Sequence, residues 1–210
     1  MSSELIAIEA ENMIIEQEVS SAPVYKARYV HPTWPGGSSG ATIGIGVDIG
    51  YTTHDALEHD WNPYLSPKMI SILHQAVGLK GEAAHNLVRS GRLLDVVVPW
   101  DAALAEFEEI EIPNWVAKTN KTFPGLESLG ALCEGSILSL CFNRGTQLQE
   151  EPGKNRRLEM RNIKAHILAG HPEKVPAELR SMKRLWTNGL VARRETEAVL
   201  FEKGLHQLAQ

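Results

Sequence analysis

The chain changes character near residue 52, and that change limits what it can fold into. From His31 to Gly50 it reads HPTWPGGSSGATIGIGVDIG, with prolines and glycines punctuating short apolar stretches. Such a segment supports loops and brief strands and excludes a long helix. From Pro67 to Gly204 the apolar residues instead recur at three- and four-residue spacing in one segment after another. Helices are predicted over 67–77, 81–89, 99–110, 126–142, 156–168, 176–186 and 193–204. They are broken at Gly91, Pro113, Gly125, Gly145, Pro152, Gly170 and Gly189. An amphipathic helix is predicted over 4–20, with Ser3 as its N-cap and Ser20-Ser21-Ala22-Pro23 ending it. Val24–Tyr29 and Ala41–Val47 read as two strands joined by the loop 31–40. The expected class is α+β, a small hairpin lobe of about residues 22–52 on a mainly helical body, 1–21 and 53–210, forming one domain.

Composition narrows the function. A chain of 210 residues with formal net charge −5 and no dense basic stripe is a poor nucleic-acid binder. No apolar run approaches the roughly 18 residues of a membrane span, so no membrane insertion is expected. Met1-Ser2-Ser3-Glu4 lacks the positive start of a signal peptide. Cys133 and Cys141 lie eight apart in a predicted helix. That spacing separates them by about 12 Å, too far for a disulfide, so both are expected as free thiols.

Three residues have the chemistry to cut a glycosidic bond by direct water attack: Glu18, Thr42 and Asp48. One carboxyl protonates the leaving oxygen, and the other groups hold and activate a water on the opposite face. Each has a plainer reading. A glutamate at a helix end is usually a solvated charge, as its neighbours Glu11 and Glu16 would be. An Asp between glycines is usually a turn former, and a Thr in a strand is usually only that. His31 and His54 flank the same region without a metal-ligand spacing, so no metal and no cofactor are assigned. The segment GVDIGYTT also looks like the first phosphate loop of the actin and sugar-kinase superfamily, through Asp48, Gly50, Thr52 and Thr53. The likeness ends there, because the chain has no second such loop.

The three residues are joined by a resemblance. Glu18-Val19-Ser20-Ser21-Ala22-Pro23-Val24-Tyr25, followed by Thr42-Ile43-Gly44-Ile45-Gly46, resembles the active-site region of phage-type lysozymes. In that family a helix-terminal Glu precedes a Tyr by seven residues. Leu138–Gly145 resembles the family's central buried helix and the turn that ends it. Trp186–Phe201 resembles its C-terminal signature. The smaller phage lysozymes carry their catalytic Asp two residues after the Tyr, where this chain has Ala27. The long Pro-Gly loop and Asp48 after the T-I-G-I-G strand instead resemble the pesticin-like branch of bacteriocin and effector muramidases.

The resemblance implies a bacteriolytic, inverting muramidase acting on peptidoglycan as a monomer, with a cleft between hairpin lobe and helical body. It makes Glu18 the general acid and Asp48 the base, with Thr42 helping to hold the water. Tyr25, Asn143, Trp34 and Tyr51 are candidate sugar contacts, and Arg193 is expected to pair with Glu18. A guanidinium partner favours a charged carboxylate, whereas a general acid has to hold its proton. Without a signal peptide, a phage endolysin released through a holin and a toxin domain delivered by a secretion machine, with its immunity protein, both fit. A wall-binding or immunity-type module of the same fold without turnover is the alternative.

Overall fold

The computed structural model describes residues 5–150, 152–187 and 189–210. In chain order the elements are α1 (Ile8–Val19), α2 (Ala22–Arg28), β1 (Thr42–Ile43), β2 (Val47–Asp48), α3 (His54–Trp61), α4 (Pro67–Leu73), α5 (Gly81–Arg89) and α6 (Trp100–Glu106). They continue with α7 (Ile112–Thr122), α8 (Ala131–Arg144), α9 (Leu158–Leu168), α10 (Val175–Ser181) and α11 (Leu190–Leu208). The fold is α+β, mostly helical with one two-stranded antiparallel sheet. Ser3, expected to cap the first helix, and Asn188 of the C-terminal signature lie outside the described residues.

The chain forms two compact units, Ile15–Ile112 and the described residues up to Ile14 together with Pro113–Gln210. The hairpin region of 22–52 thus belongs to a larger unit that also contains α3 to α6.

In Ile15–Ile112 the strands differ from expectation. Val24–Tyr29 is not a strand but part of α2. Pro23 stands in the first turn of that helix, where its fixed φ is already helical and its missing N–H costs nothing. The break between α1 and α2 is made by Ser20, which takes a left-handed φ of 66°. Ala41–Val47 is likewise not one strand. Gly44 and Gly46 take φ of 57° and 82°, conformations open to glycine, and turn the chain back. The result is a hairpin inside the T-I-G-I-G-V-D motif, pairing Thr42 with Asp48 and Ile43 with Val47. Gly44 also lies against the buried Trp61 ring, where an added Cβ would come within 2.6 Å of Cη2.

The second unit is built around α8. From Leu132 to Cys141 every residue of this helix is buried, as expected of a segment whose apolar residues run all round. Phe123, Ile137, Leu140, Met160, Leu179 and Phe201 belong to its core. Cys133 and Cys141 are buried free thiols. Gly135 faces α1, and a Cβ there would fall 2.2 Å from the Cβ of Ala10. Pro113 does not break the chain; it lies in the first turn of α7. A π-helical turn over Phe107–Glu111 precedes it, and such a widened turn relieves the clash of a proline ring with the carbonyl four residues back.

Candidate active site

The cavity that carries chemistry lies within Ile15–Ile112. It has a volume of about 460 Å³, and its lining includes Glu18, Thr33, Trp34, Thr42 and Asp48. Glu18 is the penultimate residue of α1 and is partly buried, whereas Glu16 is exposed.

Backbone pairing builds the part of the lining that holds Thr42 and Asp48. Thr42 and Asp48 are direct cross-strand partners, so their side chains lie on one face. Thr33 extends the same row. It exchanges backbone hydrogen bonds with Thr42, N–H to O at 2.9 and 2.8 Å, as an isolated antiparallel bridge. Sequence reasoning missed Thr33, because it falls in a loop with no strand signal of its own. The Thr42 hydroxyl oxygen is buried and has no hydrogen-bond partner among the described residues.

Asp48 is held by two glycine amides. Gly50 N–H donates to Oδ1 at 2.9 Å, and Gly40 N–H reaches both carboxylate oxygens at 3.0 Å. Space explains the choice of residue. A Cβ on Gly40 would stand 2.4 Å from Asp48 Oδ1 and 2.5 Å from Gly50 Cα. A Cβ on Gly50 would stand 2.5 Å from Leu79 O. The D-x-G pattern that resembles a phosphate loop therefore turns the chain and fixes the carboxylate. Thr53 of the same stretch caps α3, its Oγ1 accepting from Ala56 N–H.

The remaining predicted residues divide. Trp34 lines the cavity, stacks on His85 with ring centroids 4.3 Å apart, and donates from Nε1 to Ser39 O. Tyr51 is exposed, is not among the lining residues, and donates to Ser38 O beneath Lys80. Tyr25 is fully buried, so the expected sugar contact is corrected to a packing role. Its hydroxyl donates to Val98 O at 3.0 Å and its ring meets Trp100 edge-on. Ala27, where the smaller lysozymes have their Asp, is an exposed position of α2.

Asn143 and Arg193 belong to the other unit. Asn143 is the penultimate residue of α8 and accepts from Arg194 at 3.4 Å. Arg193 is buried and donates to Ser139 O at 3.0 Å and Ser139 Oγ at 3.2 Å, beside Glu197 at 3.4 Å. Glu197 is fully buried and also accepts from Arg194 and Ser139, each at 2.8 Å. Burial pushes its carboxyl upward, against the pull of the two guanidinium groups.

The buried carboxylate that sequence reasoning missed is Glu106. It is fully buried in Ile15–Ile112, and neither oxygen has a hydrogen-bond partner among the described residues. Burial, then the charges of Glu111 and Asp60, push its pKa up to about 9. The available signal is its place three residues after buried Ala103 and beside buried Phe107, which puts a carboxylate on the apolar side of the helix. No group of three or more metal-binding side chains occurs among the described residues, and no helix among them is long and apolar enough to cross a membrane. No protein-family model matches the chain, and no curated protein matches it.

Proposed function

We propose that the protein is a peptidoglycan muramidase of lysozyme-like fold, cleaving the β-1,4 bond after N-acetylmuramic acid with inversion. One observation carries the reading. Glu18, from the end of one helix, and Thr42 and Asp48, from one hairpin, line a single cavity of about 460 Å³, and the Thr42 hydroxyl is not engaged by another described protein group.

In this reading protonated Glu18 gives its proton to the leaving glycosidic oxygen as the C1–O bond breaks. A water on the opposite face of the sugar attacks C1 and passes its proton to Asp48. Thr42 holds that water through its hydroxyl. Direct attack needs room for the water, which sets the two carboxyls about 6.5–9.5 Å apart in inverting glycosidases. The glycine amides fix the Asp48 carboxylate in place without filling both lone pairs of Oδ2. Trp34 supplies a flat apolar face suited to a sugar ring.

The test is release of reducing sugar ends from purified cell walls, with the product anomer read by NMR. Wild-type protein should release them, Glu18→Gln and Asp48→Asn should each be slower by about 100-fold or more, and Thr42→Ala by about tenfold. Full activity in Glu18→Gln would remove Glu18 as the acid. Full activity in Asp48→Asn would remove Asp48 as the base. Wall binding by wild type without any release would make the chain a non-catalytic wall module.

A further inference from the structure

A second cavity, of about 430 Å³, lies in the unit containing α8 and α11, and its lining is basic. Arg144, Lys154, Arg156 and Arg157 line it, and among the described lining residues the one acid is Glu150. The chain as a whole has 26 acids to 21 lysines and arginines, so this concentration runs against its overall balance. None of these residues takes part in the chemistry assigned to Glu18, Thr42 and Asp48.

That carboxylate is already engaged. Glu150 accepts from the backbone N–H of Arg157 at 2.8 Å and from Arg161 at 3.0 Å. Arg144 is partly buried; one terminal nitrogen donates to Arg156 O, while its Nε is buried without a hydrogen-bond partner among the described residues. Its guanidinium lies over the Trp186 ring at 4.8 Å, which fixes its plane. Arg157 directs Nη1 at the weak acceptor Met160 Sδ, 3.3 Å away. Asn143 gives its amide oxygen to Arg194, so its remaining polar group is a donor. The cavity is thus walled by fixed donors of positive charge. Burial first, then the charges of Arg157, Arg194 and Arg156, together lower the pKa of Arg144 to about 10 against an opposing Glu159.

We propose that this cavity is an oxyanion-binding site, taking a ligand that bears a carboxylate or phosphate group. Planar guanidinium forks match both groups bidentately. Arg144 and Arg157 form its partly buried floor, and exposed Lys154 and Arg156 its rim. The site stands independently of the muramidase reading.

Isothermal titration of the full chain with pyrophosphate and, separately, with citrate tests it. At least one should bind with a Kd below about 1 mM at low salt, weakening about tenfold or more in Arg144→Gln and in Lys154→Glu. Lys68→Gln, an exposed lysine of the other unit paired with Asp95, should change Kd by no more than about twofold. Tighter pyrophosphate binding assigns a phosphate-bearing ligand, and tighter citrate binding a carboxylate-bearing one. Should Arg144→Gln fail to fold by circular dichroism, Lys154→Glu carries the test, since its side chain is at the surface. Absence of binding by either anion up to about 10 mM, or equal weakening by Lys68→Gln and Lys154→Glu, overturns the site.

Discussion

Asp48 owes its position to residues that have no side chain. The Gly40 and Gly50 amides reach its carboxylate because neither carries a Cβ, and the space each Cβ would need is filled by Asp48 itself or by backbone. Gly40→Ala should therefore displace the carboxylate while every residue that lines the cavity keeps its identity. Wall-lytic activity is expected to fall about 10–100-fold, since small misplacements of a reacting group cost that much. In a double variant the loss should not add to that of Asp48→Asn, because both act through one group. Additive losses, measured on the same walls with folding checked by thermal melting, would separate Gly40 from Asp48. The sequence already contained the signal in GGSSG and DIG, but a glycine that permits a loop and one that makes room for an amide look alike until the chain is folded.

Elements were legible where one face alone decides them. The helix expected over 81–89 is α5 residue for residue, and α4 starts at Pro67 as expected. Legibility failed where a single residue reads two ways. Pro23 reads as the end of one helix and is the start of the next. Gly44 and Gly46 read as weak strand residues and are the turn. Pro113 reads as a break, yet lies within the first turn of α7 after a π-helical turn. α3 is short, but it has its own signals: Thr53 caps it, and Leu57 and Trp61, four apart, form its buried face. Within α8, Gly135 sets how closely α1 can approach. Helix propensity favours Ala over Gly by up to about 1 kcal/mol, but here the Cβ would collide with Ala10 at 2.2 Å. Overpacking of about 1–3 kcal/mol should win, so Gly135→Ala is expected to lower the denaturant midpoint. Adding Ala10→Gly should restore much of the loss, and a double-mutant cycle in urea measures that coupling.

Across the whole molecule, buried and half-buried acids pull the pH dependence of stability in opposite directions. Glu195 and Glu202 have their carboxyls held below the usual range, first by hydrogen bonds from Lys183 and from Arg180 respectively. The stability they contribute is present above their unfolded pKa and is lost as pH falls through the folded one. Both are only half-buried, so solvent screening keeps that contribution small. Glu106 works the other way. Its pKa rises from 4.5 to about 9 on folding, so between those values the folded chain holds a proton that the unfolded chain has released. Its contribution is therefore complete below pH 4.5 and is lost as pH climbs toward 9. At about 1.4 kcal/mol per unit, this group alone takes away about 3 kcal/mol between pH 4.5 and 7, or on the order of 10 °C in Tm for a chain of this size. Buried Glu197, also shifted upward, has the same sign. The melting temperature should thus peak near pH 5 rather than at neutrality. Glu106→Gln, which mimics the protonated carboxyl at every pH, should flatten the alkaline limb and raise Tm at pH 8 while leaving it nearly unchanged at pH 4.5. A melting curve at pH 8 that is no higher in Glu106→Gln than in wild type would mean that Glu106 ionises in the fold at its ordinary pKa.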